Sequence, residues 1–354
     1  MASSKITTKY LLELVSRSFA ITIPLLDKNK KLKVEIQYLL ARIIDTIEDS
    51  NHNIQDKETL ISAFIGMLND ISAKANKKEC MKDTIIEDEV LAESTANIEN
   101  KKFNDELENF KKAVINKTIN ENDKILIENM NIVLKTFSTF SEDIRKTSIS
   151  YLKEMGYGMI YYQDHPIRTF DDLNDYCYYV AGTVGLYLTD ISNSLDKLNV
   201  DKEKAKKFGL FLQKVNIIKD APMDYKENRI FWPLSMFDNE NPAPYFEDEA
   251  YNELLMRILD TMIINATEDF KDSIEYIMSI DNKKAPGYKQ FCIIAALMGY
   301  ETLKFIKENR ETFLKLEERK INKKTTTSII TKAKSGYYTN KKLEDILKKA
   351  LKTE

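Results

Sequence analysis

The sequence predicts an all-α protein folded as one large helical domain, and three observations carry that expectation. Apolar residues recur at spacings of three and four, as in Ile36, Leu40, Ile43 and Ile47 and again in Phe208, Phe211, Leu212, Val215 and Ile218. That is the period of helices with one buried face. Nine glycines and seven prolines in 354 residues are too few for the many tight turns of a sheet protein. The length could hold two domains, but no Gly/Pro/Ser-rich linker divides it.

Composition narrows the function classes. A formal net charge of −3, with acids and bases interspersed, gives no electrostatic case for nucleic-acid binding. Cys80, Cys177 and Cys292 are widely spaced and odd in number, which fits neither a zinc site nor a disulfide framework and points to a reducing, cytoplasmic setting. Two histidines, His52 and His165, argue against a histidine zinc site or a Ser-His-Asp triad, and His165 before Pro166 is expected in a turn. No stretch reaches the ~18 apolar residues of a membrane span. Glu13 and Arg17 interrupt the apolar N-terminal stretch, which argues against a signal peptide. A monomer is favoured, although nothing in the sequence fixes the oligomeric state.

Taken in order, Thr8 to Pro24 reads as a helix and a break, with a polar patch at Ser16, Arg17 and Ser18. Lys31 to Ser50 is a helix that ends on Asp45, Glu48 and Asp49, with Arg42 one turn before Asp45. Asn51 to Lys124 is Lys/Glu/Asn-rich and only weakly periodic around 73–104, so helices and exposed loops are expected there without chemistry. Ile125 to Tyr162 reads as one long helix ending in MGYGM, whose glycines suit either close helix packing or a ligand chain. In Phe170 to Ser192, Tyr176, Tyr179, Gly182 and Thr183 fall at helical spacings. Such a face is either core or a dry aromatic cavity able to stabilise a cation.

Phe208 to Pro233 sets Gln213, Asn216, Lys219, Asp220 and Asp224 on an apolar helix, with Arg229 following. Residues four apart share a face, so Asp220 and Asp224 pair as Asp45 and Asp49 do. Paired carboxylates also occur on solvated helix ends, and Pro222 should kink the helix between the second pair. Two such clusters with cations beside them suit Mg²⁺ and a diphosphate. Asn252 to Ile280 and Tyr288 to Lys307 read as two further core helices, and the basic, Thr-rich Arg319 to Ser335 as a mobile loop.

Five blocks in order resemble the squalene and phytoene synthases, the head-to-head prenyl diphosphate synthases, and look nearest the squalene synthase branch. They are SRSFA (Ser16 to Ala20), YLLARIIDTIED (Tyr38 to Asp49), MGYGM (Met155 to Met159), YCYYVAGTVG (Tyr176 to Gly185) and Phe208 to Pro233. The resemblance implies an isoprenoid synthase helical bundle around a central prenyl-binding cavity, and two molecules of farnesyl diphosphate as substrate. It carries Mg²⁺ ligation onto Asp45, Asp49, Asp220 and Asp224, with Glu48 in support. Diphosphate binding falls on Ser16, Arg17, Ser18, Arg42, Gln213, Asn216, Lys219 and Arg229. The prenyl cavity falls on Phe19, Met155, Met159, Tyr179, Gly182, Thr183, Leu212 and Phe291, and a role near proton loss on Tyr176.

The chain departs from the family at three places. Met223 stands where a glutamate is usual, and Ala295 and Ala296 where squalene synthases commonly have Pro-Gln. The KIRKG-like flap implicated in NADPH use becomes Lys320, Ile321, Asn322, Lys323 and Lys324. NADPH binding by Lys320, Asn322 and Lys323 is the corresponding expectation, with no GxGxxG after a predicted strand to offer another site. The altered flap leaves open a non-reductive enzyme that makes presqualene diphosphate, dehydrosqualene or phytoene; a third reading is an inactive helical binding protein. Eukaryotic relatives usually end in a membrane anchor, whereas this chain ends in KKLEDILKKALKTE, which is charged and at best amphipathic. The apolar hydrocarbon product that the resemblance implies leads to the expectation of a loose, peripheral membrane contact without a spanning helix.

Overall fold

Helices and turns account for the protein, a computed structural model that describes residues 6–16, 19–81, 89–315 and 319–352, with no strand among them. The all-α expectation holds. Backbone contacts gather the described residues into two units, one within 1–23 and 31–160, the other within 24–30 and 161–354.

The first unit takes in α1 (Thr8–Val15), α2 (Phe19–Thr22), most of α3 (Lys28–Glu48), α4 (Ile54–Met81), α5 (Glu89–Lys117), α6 (Glu121–Glu128), α7 (Met130–Phe137) and most of α8 (Glu142–Asp164). Ile36, Leu40, Ile43 and Ile47 of α3 are fully buried, as their spacing predicts. Phe64 of α4 stacks on Phe110 of α5 with ring centres 5.9 Å apart. Gly156 of α8 lets that helix close on its neighbours: a Cβ there would lie 2.7 Å from Ile61 Cγ2. At this glycine the packing alternative holds.

The single helix expected over Ile125 to Tyr162 is instead three. Asn129 leaves helical geometry (φ −103°, ψ 13°) and its side-chain amide donates to the Ile125 carbonyl at 2.8 Å. Further on, the hydroxyls of Ser138 and Thr139 donate to the carbonyls of Lys135 and Thr136. Short polar side chains thus compete with the backbone for its acceptors at both breaks; the Ile125 carbonyl accepts from the backbone amide of Asn129 as well. The buried Arg145 fills the second break, donating to the carbonyls of Ser138 and Phe140 and to the side chains of Ser72 and Asn76.

In the second unit α9 (Phe170–Cys177) runs through a π-helical turn (Tyr178–Gly182) into α10 (Thr183–Asp196). Then come α11 (Lys202–Lys226), α12 (Ala243–Glu247), α13 (Asn252–Ser279), α14 (Pro286–Glu308), α15 (Lys323–Lys334) and α16 (Asn340–Lys352). The central α11 packs on α10, α13 and α14. Its contact with the preceding helix is backbone on backbone: a Cβ on Gly185 would lie 2.4 Å from the Ala205 carbonyl oxygen, and one on Gly209 2.4 Å from that of Ala181. Cys177 and Cys292 are buried free thiols.

The segment from Arg319 to Ser335, expected as a mobile loop, is mostly the helix α15. Asn322 is its N-cap, accepting from the Thr325 amide at 3.0 Å, which gives the chain start of a helix a local cause. The last helix, α16, buries Leu343 and Ala350 and packs on α13, leaving most of its lysines toward solvent. No helix among the described residues is long and apolar enough to cross a membrane.

Candidate functional site

Asp45, Glu48 and Asp49 stand in and just past the last turn of α3. Arg42, one turn earlier, donates from Nη1 to Asp45 Oδ2 at 2.8 Å. Its other donors are engaged by Asp123: Nε to Oδ1 at 2.9 Å and Nη2 to Oδ2 at 2.7 Å. Asp123 is 3% exposed. Burial pushes the Asp45 carboxyl up to about 6; Arg42 opposes that rise and the charge of Asp49 adds to it. Asp49 is exposed, and the Glu48 carbonyl receives the Lys57 ammonium at 2.6 Å.

Asp123 lies in the stretch from Asn51 to Lys124, where the sequence points to no chemistry. A signal was present in NEND: Asn120 caps α6, its Oδ1 accepting from the amides of Asn122 and Asp123. The neighbouring Asn122 donates from Nδ2 to the Leu14 carbonyl at 3.2 Å, where α1 ends. Just beyond, the buried Ser16 accepts from the Phe19 amide at 3.0 Å, and the Phe19 ring lies 5.0 Å from that of Tyr38. Arg17 and Ser18 lie outside the described residues. Met155 and Met159 of α8 are buried.

The second cluster stands on α11. The helix runs through Pro222 to Lys226, so Asp220 and Asp224 stay on one continuous helix despite the proline. Lys219 donates to Asp220 Oδ1 at 2.6 Å. Burial pushes the Asp224 carboxyl up to about 6; Arg229 opposes the rise and Asp220 adds to it. The Arg229 backbone amide donates to the Asp224 carbonyl at 2.8 Å, while its guanidinium lies 3.7 Å from Asp224 Oδ1 and 2.6 Å from Glu227. Gln213 is half-buried, Asn216 is exposed, and Met223, in place of the usual glutamate, is 50% exposed. Arg319 is a neighbour the sequence did not single out. Burial lowers its pKa and the charge of Asp220 opposes this, while its guanidinium donates to the carbonyls of Phe313 and Leu314.

The second unit also holds an aromatic group. The Tyr176 ring stacks on Phe231 at 5.0 Å and meets Tyr162 edge-on at 5.5 Å; Tyr162 lies 6.4 Å from Tyr179. Burial raises the Tyr162 phenol pKa far above its ordinary value, so that hydroxyl keeps its proton. The π turn, a feature frequent at functional sites, shifts the phase between Tyr176 and Thr183 from the plain helical spacing. Thr183 is buried and donates to the Tyr179 carbonyl at 2.8 Å. A Cβ on Gly182 would meet Tyr178 and Leu210 side chains. Leu212 is half-buried, and the buried Phe291 stacks on Tyr288 at 6.5 Å. His165 lies beyond α8, stacked on Tyr161 at 3.9 Å. Lys320, Asn322 and Lys323 gather at the start of α15, with both lysines exposed.

Comparison with known proteins shows the family of the chain. The profile of the squalene/phytoene synthase family matches residues 12–325. The squalene synthase of Schizosaccharomyces pombe is 29% identical over 317 residues, covering 86% of this chain and 60% of that protein. The squalene synthase of Homo sapiens is 26% identical over 318 residues, covering 88% and 66%. The chain therefore spans about three fifths to two thirds of these relatives' length. The solved complex of TcSQS with the ligand BPH1237 shares the fold, with a TM-score of 0.77 over 97% of this chain and 89% of that one at 23% identity. A dehydrosqualene synthase structure gives a TM-score of 0.58 at 18% identity, over 93% and 95% of the two chains. With the profile matched along most of its length, this chain belongs to the squalene/phytoene synthase family.

Proposed function

We propose that the protein is a Mg²⁺-dependent head-to-head prenyltransferase of the squalene synthase type. On this reading it condenses two farnesyl diphosphates to presqualene diphosphate and reduces that product to squalene with NADPH. The observation that carries the reading is the pair of acidic helix turns, Asp45 with Asp49 and Asp220 with Asp224. Each holds one carboxyl pushed up to about 6 by burial beside a second carboxylate. Crowded hard-oxygen donors of this kind fit a divalent cation, which removes both the desolvation cost and the mutual repulsion.

Asp45, Glu48 and Asp49, and on α11 Asp220 and Asp224, would hold the Mg²⁺ ions. Bound Mg²⁺ would supply positive charge to the departing diphosphate. Arg42, Lys219 and Arg229, with Arg17 by resemblance, would bind diphosphate oxygens and offset that same charge. Ser16, Ser18, Gln213 and Asn216 would orient the substrates through hydrogen bonds. Phe19, Met155, Met159, Tyr179, Gly182, Thr183, Leu212 and Phe291 would keep water from the prenyl chains. The rings of Tyr176, Tyr162 and Phe231 would offer faces to stabilise an allylic cation, and the Tyr176 hydroxyl would receive or relay the proton lost as presqualene diphosphate forms.

For the reductive half, Lys320 and Lys323 at the start of α15 would hold the cofactor's phosphates. NADPH, when bound, would supply hydride. Asn322, whose side chain caps the helix, would act by ordering that turn. This occupied side chain, where squalene synthases commonly carry an arginine, favours a second reading in which the enzyme stops before reduction. Incubation with farnesyl diphosphate and Mg²⁺, with and without NADPH, followed by mass analysis of the extract, tests both. Squalene formed only with NADPH supports the first reading. Presqualene diphosphate or dehydrosqualene as the end product regardless of NADPH supports the second, and no product at all would overturn both.

A further inference from the structure

We infer that Asp123 is a positioning residue for the first acidic cluster: it restrains the Arg42 guanidinium so that only Nη1 reaches Asp45. The inference rests on the proposal that Asp45 binds Mg²⁺ with a diphosphate. Asp123 is 3% exposed, and the Arg42 side chain 23%. The two parallel bonds from Nε and Nη2 give the pair the bidentate geometry that fixes a guanidinium in direction as well as place. A half-buried, doubly bonded arginine has one edge left, and that edge makes a single 2.8 Å bond to Asp45.

The restraint matters because Arg42 and a metal ion compete for the same carboxylate. Freed from Asp123, the guanidinium could turn its fork to Asp45 and engage both carboxylate oxygens, excluding the cation. Held by Asp123, it leaves Asp45 Oδ1 without an arginine bond and keeps a positive charge beside the cluster for an arriving diphosphate. The anchor is itself fixed. Asn120 caps the first turn of α6 and orients Asp123 from its backbone amide, while Asn122 ties the same turn to the Leu14 carbonyl, two residues before Ser16. One helical turn, Asn120 to Asp123, therefore sets both Arg42 and the end of α1.

The test is a double-mutant cycle read by calorimetric titration of the full chain with Mg²⁺ and inorganic pyrophosphate, with thermal melts alongside. Asp123→Asn should weaken binding by about tenfold to a hundredfold, the range seen when residues behind a metal ligand are removed. In an Arg42→Gln background the same substitution should have no further effect, because Asp123 acts only through Arg42. Asp123→Glu keeps the charge and serves if Asp123→Asn does not fold; it should bind as the unmodified chain does. Unchanged binding in Asp123→Asn, an equal loss in both backgrounds, or a loss in Asp123→Glu with the melting temperature retained would overturn the inference. Asp45→Asn separates the two levels. If the unmodified chain binds Mg²⁺ and pyrophosphate no better than Asp45→Asn does, the metal reading itself fails, and the positioning role with it.

Discussion

Lys214 Nζ lies 2.6 Å from Asp269 Oδ2 between α11 and α13, with both side chains almost fully withdrawn from solvent. Lys207 reaches the other oxygen of Asp269 at 3.0 Å from a more open position. Breaking a buried pair by removing one partner strands the other charge in a medium that solvates it poorly. Lys214→Met should therefore cost about 3 kcal/mol in stability. Denaturant unfolding measures this, and an unchanged midpoint would show that Lys207 alone satisfies Asp269.

Gly209 touches the chain before it through bare backbone. Its missing Cβ would fall 2.4 Å from the Ala181 carbonyl oxygen and 2.7 Å from Gly182 Cα, neither of which can rotate away. Gly209→Ala should force α11 from the π turn and lower stability by about 1 to 3 kcal/mol. A thermal melt equal to that of the unmodified chain would contradict this contact.

The carboxyls of Asp45 and Asp224 give the metal-free protein a defined pH response. Each titrates near 6 when folded against 3.8 for an ordinary aspartate, so the unfolded chain releases these protons first. Their contribution is intact below pH 3.8 and is lost as pH rises through about 6. Mg²⁺ should thus raise the melting temperature more at pH 7 than at pH 5, and Asp45→Asn should flatten the metal-free slope. Melts across that range check both; an equal Mg²⁺ effect at the two pH values would count against the acidic clusters as its site.

Asn322→Ala removes the side chain that caps α15. A lost N-cap costs about 1 kcal/mol locally, so the first turn should fray. Hydrogen exchange reads this at the Thr325 amide, which donates to Asn322 Oδ1 at 3.0 Å. Faster exchange there with the rest of the chain unaffected is expected, and unchanged protection would mean that the cap contributes nothing.

Much of this was legible in the sequence because it obeys a local period. The stripe from Ile36 to Ile47, the run from Phe208 to Ile218 and the acid pairs each repeat at helical spacing, and all but Asp49, one residue past α3, sit on helices. What escaped depends on side chains replacing backbone partners or on pairing at long range. The breaks at Asn129 and Ser138 arise where polar side chains compete for backbone carbonyls. The π turn keeps an apolar sequence while changing its phase, so Tyr176 and Thr183 cannot be placed by counting in steps of 3.6. Asp123 is one acid among many in its stretch, and its partner Arg42 is 81 residues away. Asn322 looked like the loss of a cation; it is also the gain of a helix cap.

The central claim is that the two acid pairs carry Mg²⁺-dependent chemistry on a prenyl diphosphate. Pyrophosphate release from farnesyl diphosphate tests it most directly, in the unmodified chain and in Asp45→Asn and Asp220→Asn. Release that requires Mg²⁺ and falls by about a hundredfold or more in each folded variant is the predicted result. Release that persists without Mg²⁺, or at unmodified rates in both variants, would contradict it.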